Sequence, residues 1–285
     1  MLNFVFNIFF RMINFNGKLI DQKDSIFTID NRAFKYGDAV FETLKVLDLK
    51  IIFLEDHYFR LMASMRMLRM EIPADFSLEY VESEVVKVLK SNGLINKARV
   101  RLTVFRKDGG FYTPVVNDID FVIQVSNLNV ELKKKYEVDL YKDFYVQASL
   151  LSTIKTTNRL LNVVASIFAQ ENDLDSCILI NDKKQLVEAT HSNLFVVKGN
   201  TISTPALTEG CIKGVLRSKI IELLQKEDKY NIEEREISPF ELKKADEVFL
   251  TNSIIYIQPV THYRKKIFGT IVSSEIRDLL EKTEF

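Results

Sequence analysis

A single lysine, Lys155, opens the segment KTTNRLL, directly before an amphipathic pattern that predicts a helix. Farther along the chain, Glu188 lies in the β-rich segment LVEATHSNLF, and the next segment, GCIKGVLR, places two glycines before a second helical pattern. A lysine amine forms a Schiff base with an aldehyde, a buried carboxylate keeps a pyridine nitrogen protonated, and free N–H groups at a helix start bind phosphate. Together the three features predict a site for pyridoxal 5′-phosphate (PLP).

The composition indicates a folded protein that acts on a small molecule. The chain has 285 residues, of which 47% are apolar, with nine Gly and five Pro, so we expect two domains. Its 39 basic and 39 acidic residues balance, so no overall field attracts nucleic acid or an anionic membrane. Neither Cys177 and Cys211 nor the three histidines have metal-ligand spacing, so we predict no metal site. The free cysteines favour a reducing cytoplasm.

The N-terminal part, residues 1–126, predicts an α+β domain that is mostly antiparallel. Residues 1–11 are either a strand extension or precede a true start at Met12, and they are too short for a membrane span. The segment INFNGKLI then predicts a hairpin with an Asn-Gly turn. Further strands are predicted at IFTI, AVFETLKVL, KIIFL, KARVRLTVF and DFVIQV, and helices at Glu55–Met70 and Leu78–Leu89. The insert DNRAFKYGD, with Gly37, is a candidate site loop.

A charged segment, residues 127–136, predicts a linker, and residues 137–285 form the second domain. After Lys155, the residues Leu160, Leu161, Val164, Ile167 and Phe168 predict one apolar helix face. Hairpins are predicted at CILIN with LVEAT and at NLFVV with TISTP, followed by the helix VLRSKIIELL, the strand EVFLTN and a last helix at Thr270–Leu280. The motifs GxGxxG and GxxxxGK[ST] are both missing, so a dinucleotide or nucleoside triphosphate site is not predicted.

Six segments, in order from Met12 to about Thr261, resemble the class IV aminotransferase family. They are DNRAFKYGDAVFET, HYFRLMASMRML, KTTNRLLNVVA, LVEATHSNLF, TPALTEGCIKGVLR and ADEVFLTNSIIYIQPV. That family comprises branched-chain and D-amino acid aminotransferases and 4-amino-4-deoxychorismate lyases. The resemblance implies an α+β, two-domain D-amino acid aminotransferase-like PLP fold, with a small α+β N-terminal domain and a larger pseudo-barrel C-terminal domain. It also implies a homodimer with the site near its interface.

The resemblance assigns cofactor roles to individual residues. Lys155 matches the Schiff-base lysine, and Glu188 matches the partner of the pyridine nitrogen. Positions that hold the phosphate correspond to Arg60, Val215 and Leu216 through their backbone N–H groups, Thr251 and Asn252.

Each of these residues, taken alone, also has an ordinary structural interpretation. Lys155 could be a solvated lysine, although the helix dipole disfavours a cation at a helix start. Arg60 could be an exposed helix arginine, and Glu188 an exposed hairpin residue. Thr251 and Asn252 could be turn formers. The order and spacing of the whole set favour the cofactor site.

Four positions distinguish the reactions of the family, again by resemblance. Thr43 in FET, Arg159 in KTTNR, Leu216 in GVLR and Asn252 in TN all match the lyase better than the transaminases. A lyase reaction would use Lys155 as the proton carrier and Thr43 as a hydrogen-bonding helper, releasing pyruvate and 4-aminobenzoate. A branched-chain or D-amino acid transaminase using 2-oxoglutarate is the alternative, and a catalytically silent homologue is a third hypothesis.

The residues that bind the substrate stay open at this point. The substrate is expected to be an amino-bearing carboxylic acid, so an arginine is the natural partner of its carboxylate. The candidates are Phe34, Arg99, Arg101, Arg106 and Arg159.

Overall fold

The structure, a computed structural model, describes residues 11–24 and 26–284. The predicted N-terminal extension therefore lies outside the described residues at positions 1–10. The chain divides into unit 1, which ends at Leu128, and unit 2, which begins at Asn129. Across the described ranges, no helix combines the length and the apolar character needed to cross a bilayer.

Unit 1 is built on one six-stranded antiparallel sheet with the strand order β2-β1-β6-β5-β3-β4. Its long strands alternate buried and half-buried residues, the period expected when one face of a sheet is covered. The strands are β1 Met12–Phe15, β2 Lys18–Asp21, β3 Ala39–Leu47, β4 Lys50–Ile51, β5 Lys97–Arg106 and β6 Ile119–Asn127.

Two turns in unit 1 contain a glycine with a positive φ angle. Asn16 and Gly17, between β1 and β2, both have positive φ angles of 50° and 83°, which a tight two-residue hairpin requires. The insert predicted as an irregular loop instead contains a short helix, α1 (Arg32–Tyr36), because Asn31 accepts a hydrogen bond from the Phe34 N–H and caps it. Gly37 ends this helix at φ 63°. The strand predicted at IFTI is wrong, since residues 26–29 form no strand.

Two amphipathic helices cover one face of the sheet. They are α2 (Leu54–Met67) and α3 (Leu78–Ser91), the latter capped by the Ser77 hydroxyl. Their apolar residues form a core with the inward residues of β3, β5 and β6. The alternate residues of β3 and β5 lie on the opposite face, which these helices do not cover.

Unit 2 has two five-stranded sheets that share one apolar core. The first has the order β12-β11-β10-β13-β14, with β11 and β12 parallel; the second has the order β16-β15-β7-β8-β9, with β7 parallel to β15 and β8. The strands are β7 Glu137–Val146, β8 Ser176–Asn181, β9 Leu186–Ala189, β10 Asn193–Lys198, β11 Thr201–Pro205, β12 Asn231–Arg235, β13 Glu247–Asn252, β14 Tyr256–Val260, β15 His262–Tyr263 and β16 Lys266–Ile267.

Three helices accompany these sheets: α4 (Leu160–Glu171), α5 (Val215–Leu224) and α6 (Ile271–Glu284). The inward face predicted for α4 is partly wrong. The helix buries Ala165 and Ala169, whose small side chains let it lie close to β7 and β8, whereas Leu160 and Ile167 are exposed. Lys155 also does not open α4, which begins five residues later.

Candidate active site

Lys155 lies in a short irregular segment between a 3₁₀ turn at Leu150–Thr153 and α4, and it is half-buried. The guanidinium of Arg159 donates to the Ile154 carbonyl at 2.8 Å and to the Thr156 carbonyl at 3.1 Å. These bonds occupy the carbonyls on both sides of Lys155, so they hold this segment out of the helix that the sequence predicts. Arg159, a substrate candidate in the sequence, thus uses two of its donor atoms on the backbone.

Glu188 is buried on β9, so the interpretation as an exposed hairpin residue is wrong. Its Oε2 atom accepts from the Ile212 N–H at 2.9 Å, and the Asn193 amide lies 3.5 Å away. Burial raises the pKa of the Glu188 carboxyl, while the Ile212 N–H and the charges of Arg159 and Lys155 oppose that increase. The Lys155 amine is therefore near enough to this carboxyl for its charge to act on it.

The start of α5 offers free backbone donors. Gly214 precedes the helix and has no side chain to cap it. Within the described ranges, the Val215 and Leu216 N–H groups donate to no acceptor outside the helix. A helix start of this kind binds an anion through its N–H groups and its dipole.

Thr251, at the end of β13, provides a further unsatisfied group. It is 1% exposed, and its Oγ1 atom has no hydrogen-bond partner among the described residues. A buried hydroxyl without a partner is costly, and a bound ligand is one way to satisfy it. The neighbouring Asn252 differs, because its side chain accepts from the Ile254 and Ile255 N–H groups and donates to Ser192 Oγ at 3.0 Å. The Asn252 side chain therefore forms a turn.

The groups of unit 2 fit PLP. The amine is a partner for the aldehyde, and the buried carboxylate is a partner for the pyridine nitrogen. The open N–H groups at the helix start and the unpaired hydroxyl are partners for the phosphate. When bound, PLP supplies an electron sink that stabilises negative charge on a substrate carbon.

In unit 1, Arg60 is mostly buried rather than exposed on the helix surface. Its Nε atom donates to Glu42 Oε1 at 2.8 Å, and its Nη2 atom donates to Oε2 of the same carboxylate. His57 Nδ1 lies 2.7 Å from Glu42 Oε2. Burial raises the pKa of Glu42, but the Arg60 charge and the hydrogen bond with His57 outweigh burial and lower it to about 2.

The uncovered face of the unit 1 sheet carries Thr43 and Arg101 directly opposite each other on β3 and β5. The Arg101 guanidinium stacks over the Phe41 ring at 3.8 Å, and its Nε atom donates to Thr103 Oγ1 at 3.2 Å. No ion pair is described for Arg101, whose pKa is lowered by burial and by the nearby Arg99 charge. Half-buried and without a described acid, Arg101 can accept an anionic partner.

The other substrate candidates of unit 1 are placed differently. The Arg106 guanidinium is buried and donates to Asp38, to Asn117 and to the Leu68 carbonyl, with distances of 2.9, 2.6 and 2.6 Å. All three of its nitrogen atoms are engaged, which indicates a structural role. Phe34 lies on α1 and is 75% exposed.

Comparison with known proteins identifies the family to which this chain is similar. The model of amino-transferase class IV matches residues 39–263. The chain is 28% identical to a putative branched-chain-amino-acid aminotransferase of Methanocaldococcus jannaschii, covering 95% of this chain and 94% of that protein. It is 29% identical to the D-alanine aminotransferase of Bacillus licheniformis, covering 90% and 89%. It is 28% identical to the aminodeoxychorismate lyase of Bacillus subtilis, covering 91% and 89%.

Solved structures agree in fold. The branched-chain aminotransferase of Thermoproteus uzoniensis, solved with norvaline, superposes with a TM-score of 0.87 at 21% identity, covering 95% of this chain and 93% of that one. Another branched-chain aminotransferase, solved with pyridoxamine 5′-phosphate, gives 0.84 at 21% identity, covering 96% and 94%. These likenesses confirm the predicted α+β fold. The chain belongs to the class IV aminotransferases, which depend on PLP.

Proposed function

We propose that the chain is a 4-amino-4-deoxychorismate lyase, which forms 4-aminobenzoate and releases pyruvate. The observation that supports this reaction best is the position of Thr43 directly opposite Arg101 on the uncovered face of the unit 1 sheet. No hydrogen bond of the Thr43 hydroxyl is described within residues 11–24 and 26–284, so it is available to a substrate. The substrate carries two carboxylates, and Arg101 is a cation without a described acid partner.

The proposal gives each residue one task. Lys155 would hold the cofactor covalently until the substrate amine displaces it, and the freed Lys155 amine would then carry protons to and from the substrate carbon, with the Thr43 hydroxyl as a hydrogen-bonding helper. Glu188 holds a proton on the pyridine nitrogen. The N–H groups of Val215 and Leu216 and the unpaired Thr251 hydroxyl would hold the phosphate, and the resemblance adds Arg60 and Asn252 to this set.

Arg159 has a different task in this proposal. Because it bonds the carbonyls of Ile154 and Thr156, we assign it to holding the Lys155 segment. Its guanidinium charge also stabilises the ionised form of Glu188.

An amino acid transaminase of branched-chain or D-amino acid type is the second candidate. It is favoured by the two aminotransferase relatives, whose identities of 28% and 29% are no lower than the 28% of the lyase relative. Transamination uses the same lysine, carboxylate and phosphate ligands, so those residues do not separate the two reactions.

The decisive experiment compares the two reactions on the purified PLP-loaded protein. We expect repeated turnover of aminodeoxychorismate to pyruvate with no keto acid present. Leucine, valine and D-alanine with 2-oxoglutarate should be transaminated slowly at most. Rapid transamination of any of these, with no pyruvate from aminodeoxychorismate, would establish the second candidate instead.

The covalent role of Lys155 is tested separately. Borohydride treatment of the loaded protein should fix the cofactor on the peptide that contains Lys155, as measured by mass spectrometry. Lys155→Ala should abolish that adduct, whereas Lys183→Ala, in the exposed turn between β8 and β9, should keep it. An unchanged adduct in Lys155→Ala would disprove the assignment.

We further propose that two copies of the chain associate and that they work in a reducing cytoplasm. Unit 2 exposes apolar side chains before and along α4, where a second copy would cover them: Leu150, Leu151, Leu160, Val163 and Ile167. Both cysteines are buried free thiols. Sedimentation equilibrium should show a dimer of this chain, and Leu160→Asp with Ile167→Asp should shift it toward the monomer; a wild-type monomer would refute the association.

A further inference from the structure

Asn193, at the start of β10, connects two parts of the unit 2 site. The residue is 7% exposed, and its Nδ2 atom donates to the Ile212 carbonyl at 2.9 Å. The same Nδ2 atom lies 3.5 Å from Glu188 Oε2, which also accepts the Ile212 N–H at 2.9 Å. The peptide groups on both sides of Ile212 are therefore held, one by Glu188 and the other by Asn193.

Gly214 explains why this amide fits. Its φ and ψ angles are −67° and 137°, which any residue can adopt, so the backbone does not require glycine here. A Cβ atom at this position would overlap Asn193 Oδ1 and would lie 3.2 Å from Asn193 Cγ. The next atom, Arg217 Cβ, is at the ordinary distance of 3.4 Å. The Asn193 carboxamide thus occupies the space that a side chain at position 214 would need.

We propose that Asn193 is a positioning residue that fixes the Glu188 carboxylate and the start of α5 as one rigid unit, and that position 214 is glycine in order to admit its carboxamide. The functional part of this inference rests on the proposed roles of Glu188 and of the α5 N–H groups toward PLP. The geometric part stands on the contacts alone. Asn193 acts through Glu188 and the segment 212–214, without touching the cofactor in this proposal.

A double-mutant cycle on the PLP-free protein tests the geometric part. Gly214→Ala forces the Asn193 amide out of place, so we expect a lower midpoint of urea unfolding and at least a tenfold weaker binding of PLP. Asn193→Ala removes the obstacle. Once it is present, adding Gly214→Ala should cost little more. Gly269→Ala serves as the control, because its new Cβ atom would make a close contact of 3.3 Å with Glu247 Oε1 but not the overlap expected at Gly214.

Additive effects of the two substitutions would overturn the steric coupling. If Gly214→Ala alone does not fold, the yield of folded protein is compared between this variant and the double variant. We expect the double variant to fold. A double variant that fails to fold where Asn193→Ala folds would overturn the inference equally.

The isosteric variant Asn193→Asp tests the link to Glu188. It keeps the shape but replaces the donor with a second carboxylate, which opposes the negative charge of Glu188. The cations Lys155, Arg159 and Arg217 stabilise that charge in the wild type. We expect PLP binding to weaken about tenfold or more, and the absorption band of bound PLP to titrate at a different pH than in the wild type.

A matched control is Asn181→Asp on β8, whose amide donates to the buried Glu209 at 2.8 Å. It places the same charge beside another buried carboxylate, so it should lower stability and leave the spectrum of bound PLP unchanged. Glu188→Gln distinguishes an error in the role of Asn193 from an error in the cofactor assignment of Glu188. If Glu188→Gln alters the spectrum and Asn193→Asp does not, the role of Asn193 is wrong and the cofactor assignment stands. If neither alters it, the Glu188 assignment fails, and the role of Asn193 fails with it.

Discussion

Glu42 Oε1 and Arg60 Nε lie 2.8 Å apart and join β3 to α2 in a buried ion pair within unit 1. The carboxylate is shared with His57, whose Nδ1 atom is 2.7 Å from Oε2. Such a pair stabilises a fold only while both partners are charged, since removing one leaves an uncompensated charge in the interior. It also fixes the guanidinium of Arg60 in one orientation.

Acid should therefore destabilise unit 1 through Glu42. Burial alone would raise the pKa of this carboxyl, but the Arg60 charge and the His57 hydrogen bond outweigh burial and lower it from 4.5 to about 2. The ionised carboxylate thus contributes stability that is complete above pH 4.5 and is lost as the pH falls toward 2, in total about 3 kcal/mol. Burial also lowers the pKa of His57, which acts in the same direction, since the unfolded state then binds the proton more readily.

Urea unfolding at a series of pH values measures this effect. Glu42→Gln should lower the free energy of unfolding by roughly 3–5 kcal/mol at pH 7 and flatten its dependence on pH below 4.5. Glu275→Gln is the control, because Glu275 forms a solvent-screened pair with Lys229 and its loss should change stability much less than the loss of Glu42. A wild-type pH dependence in Glu42→Gln would show that this carboxylate is not the group responsible.

Arg60 should affect both the cofactor and the fold, because its removal also leaves the Glu42 carboxylate buried without its cation. Arg60→Ala removes a charge-assisted contact worth roughly 1.5–3 kcal/mol, so the dissociation constant of PLP should rise about 10- to 100-fold. Arg66→Ala, an exposed arginine on the same helix, should leave it unchanged. Equilibrium titration by fluorescence distinguishes the two variants, and equal PLP affinities would limit Arg60 to its structural pair with Glu42.

Short sequence patterns predicted the helices and strands better than the contacts between individual side chains. The Asn-Gly hairpin, the helices α2 and α3 of unit 1 and most strands follow from patterns a few residues long. The ion pair does not, because nothing in FET indicates a cation 18 residues away on α2. Likewise, the KTTNR pattern predicted a helix at Lys155, and only the structure shows Arg159 bonding the carbonyls that such a helix would need. Local hydrogen bonds from a side chain to the backbone competed with the helix there.

Asn193 and Arg106 show the same limit at the level of single residues. Asn193 stands in a recognised segment, but its contact with Gly214 depends on two strands and a helix start. Arg106 resembles a substrate arginine in sequence, whereas its donors are used by Asp38 and by the Leu68 carbonyl. Residue type predicts what a side chain can do, and packing decides whether it is available.

Thr251 should matter to the cofactor and not to the stability of the PLP-free protein. Its hydroxyl is buried without a partner among the described residues, so Thr251→Val should leave the free energy of unfolding unchanged or raise it. The same substitution should weaken PLP binding about tenfold or more if the hydroxyl donates to the phosphate. Thr204→Val is the contrasting control, since the Thr204 hydroxyl donates to the Leu194 carbonyl at 2.8 Å and its loss should cost about 1 kcal/mol. Unchanged PLP affinity in Thr251→Val would remove Thr251 from the phosphate site.

The Thr43 hydroxyl tests the proposed lyase reaction at the level of one oxygen atom. Thr43→Val keeps the shape of the side chain on β3 and deletes the hydroxyl, which a lyase would use as a hydrogen-bonding helper. Loss of one neutral hydrogen bond in the transition state should lower kcat with aminodeoxychorismate roughly 3- to 10-fold, with a smaller effect on KM. Transamination does not need this hydroxyl, so any residual conversion of leucine or D-alanine should be unaffected.

The control for this experiment is Thr201→Val, which alters a half-buried strand threonine in unit 2 and should leave both reactions unchanged. The informative quantity is the ratio of lyase to transaminase rates, because a general disturbance of the fold lowers both rates together. A selective fall in pyruvate release supports the lyase assignment and the role of Thr43. An equal loss of both activities, or none, would mean that Thr43 does not contribute to the elimination and that the lyase assignment must rest on the substrate assay alone.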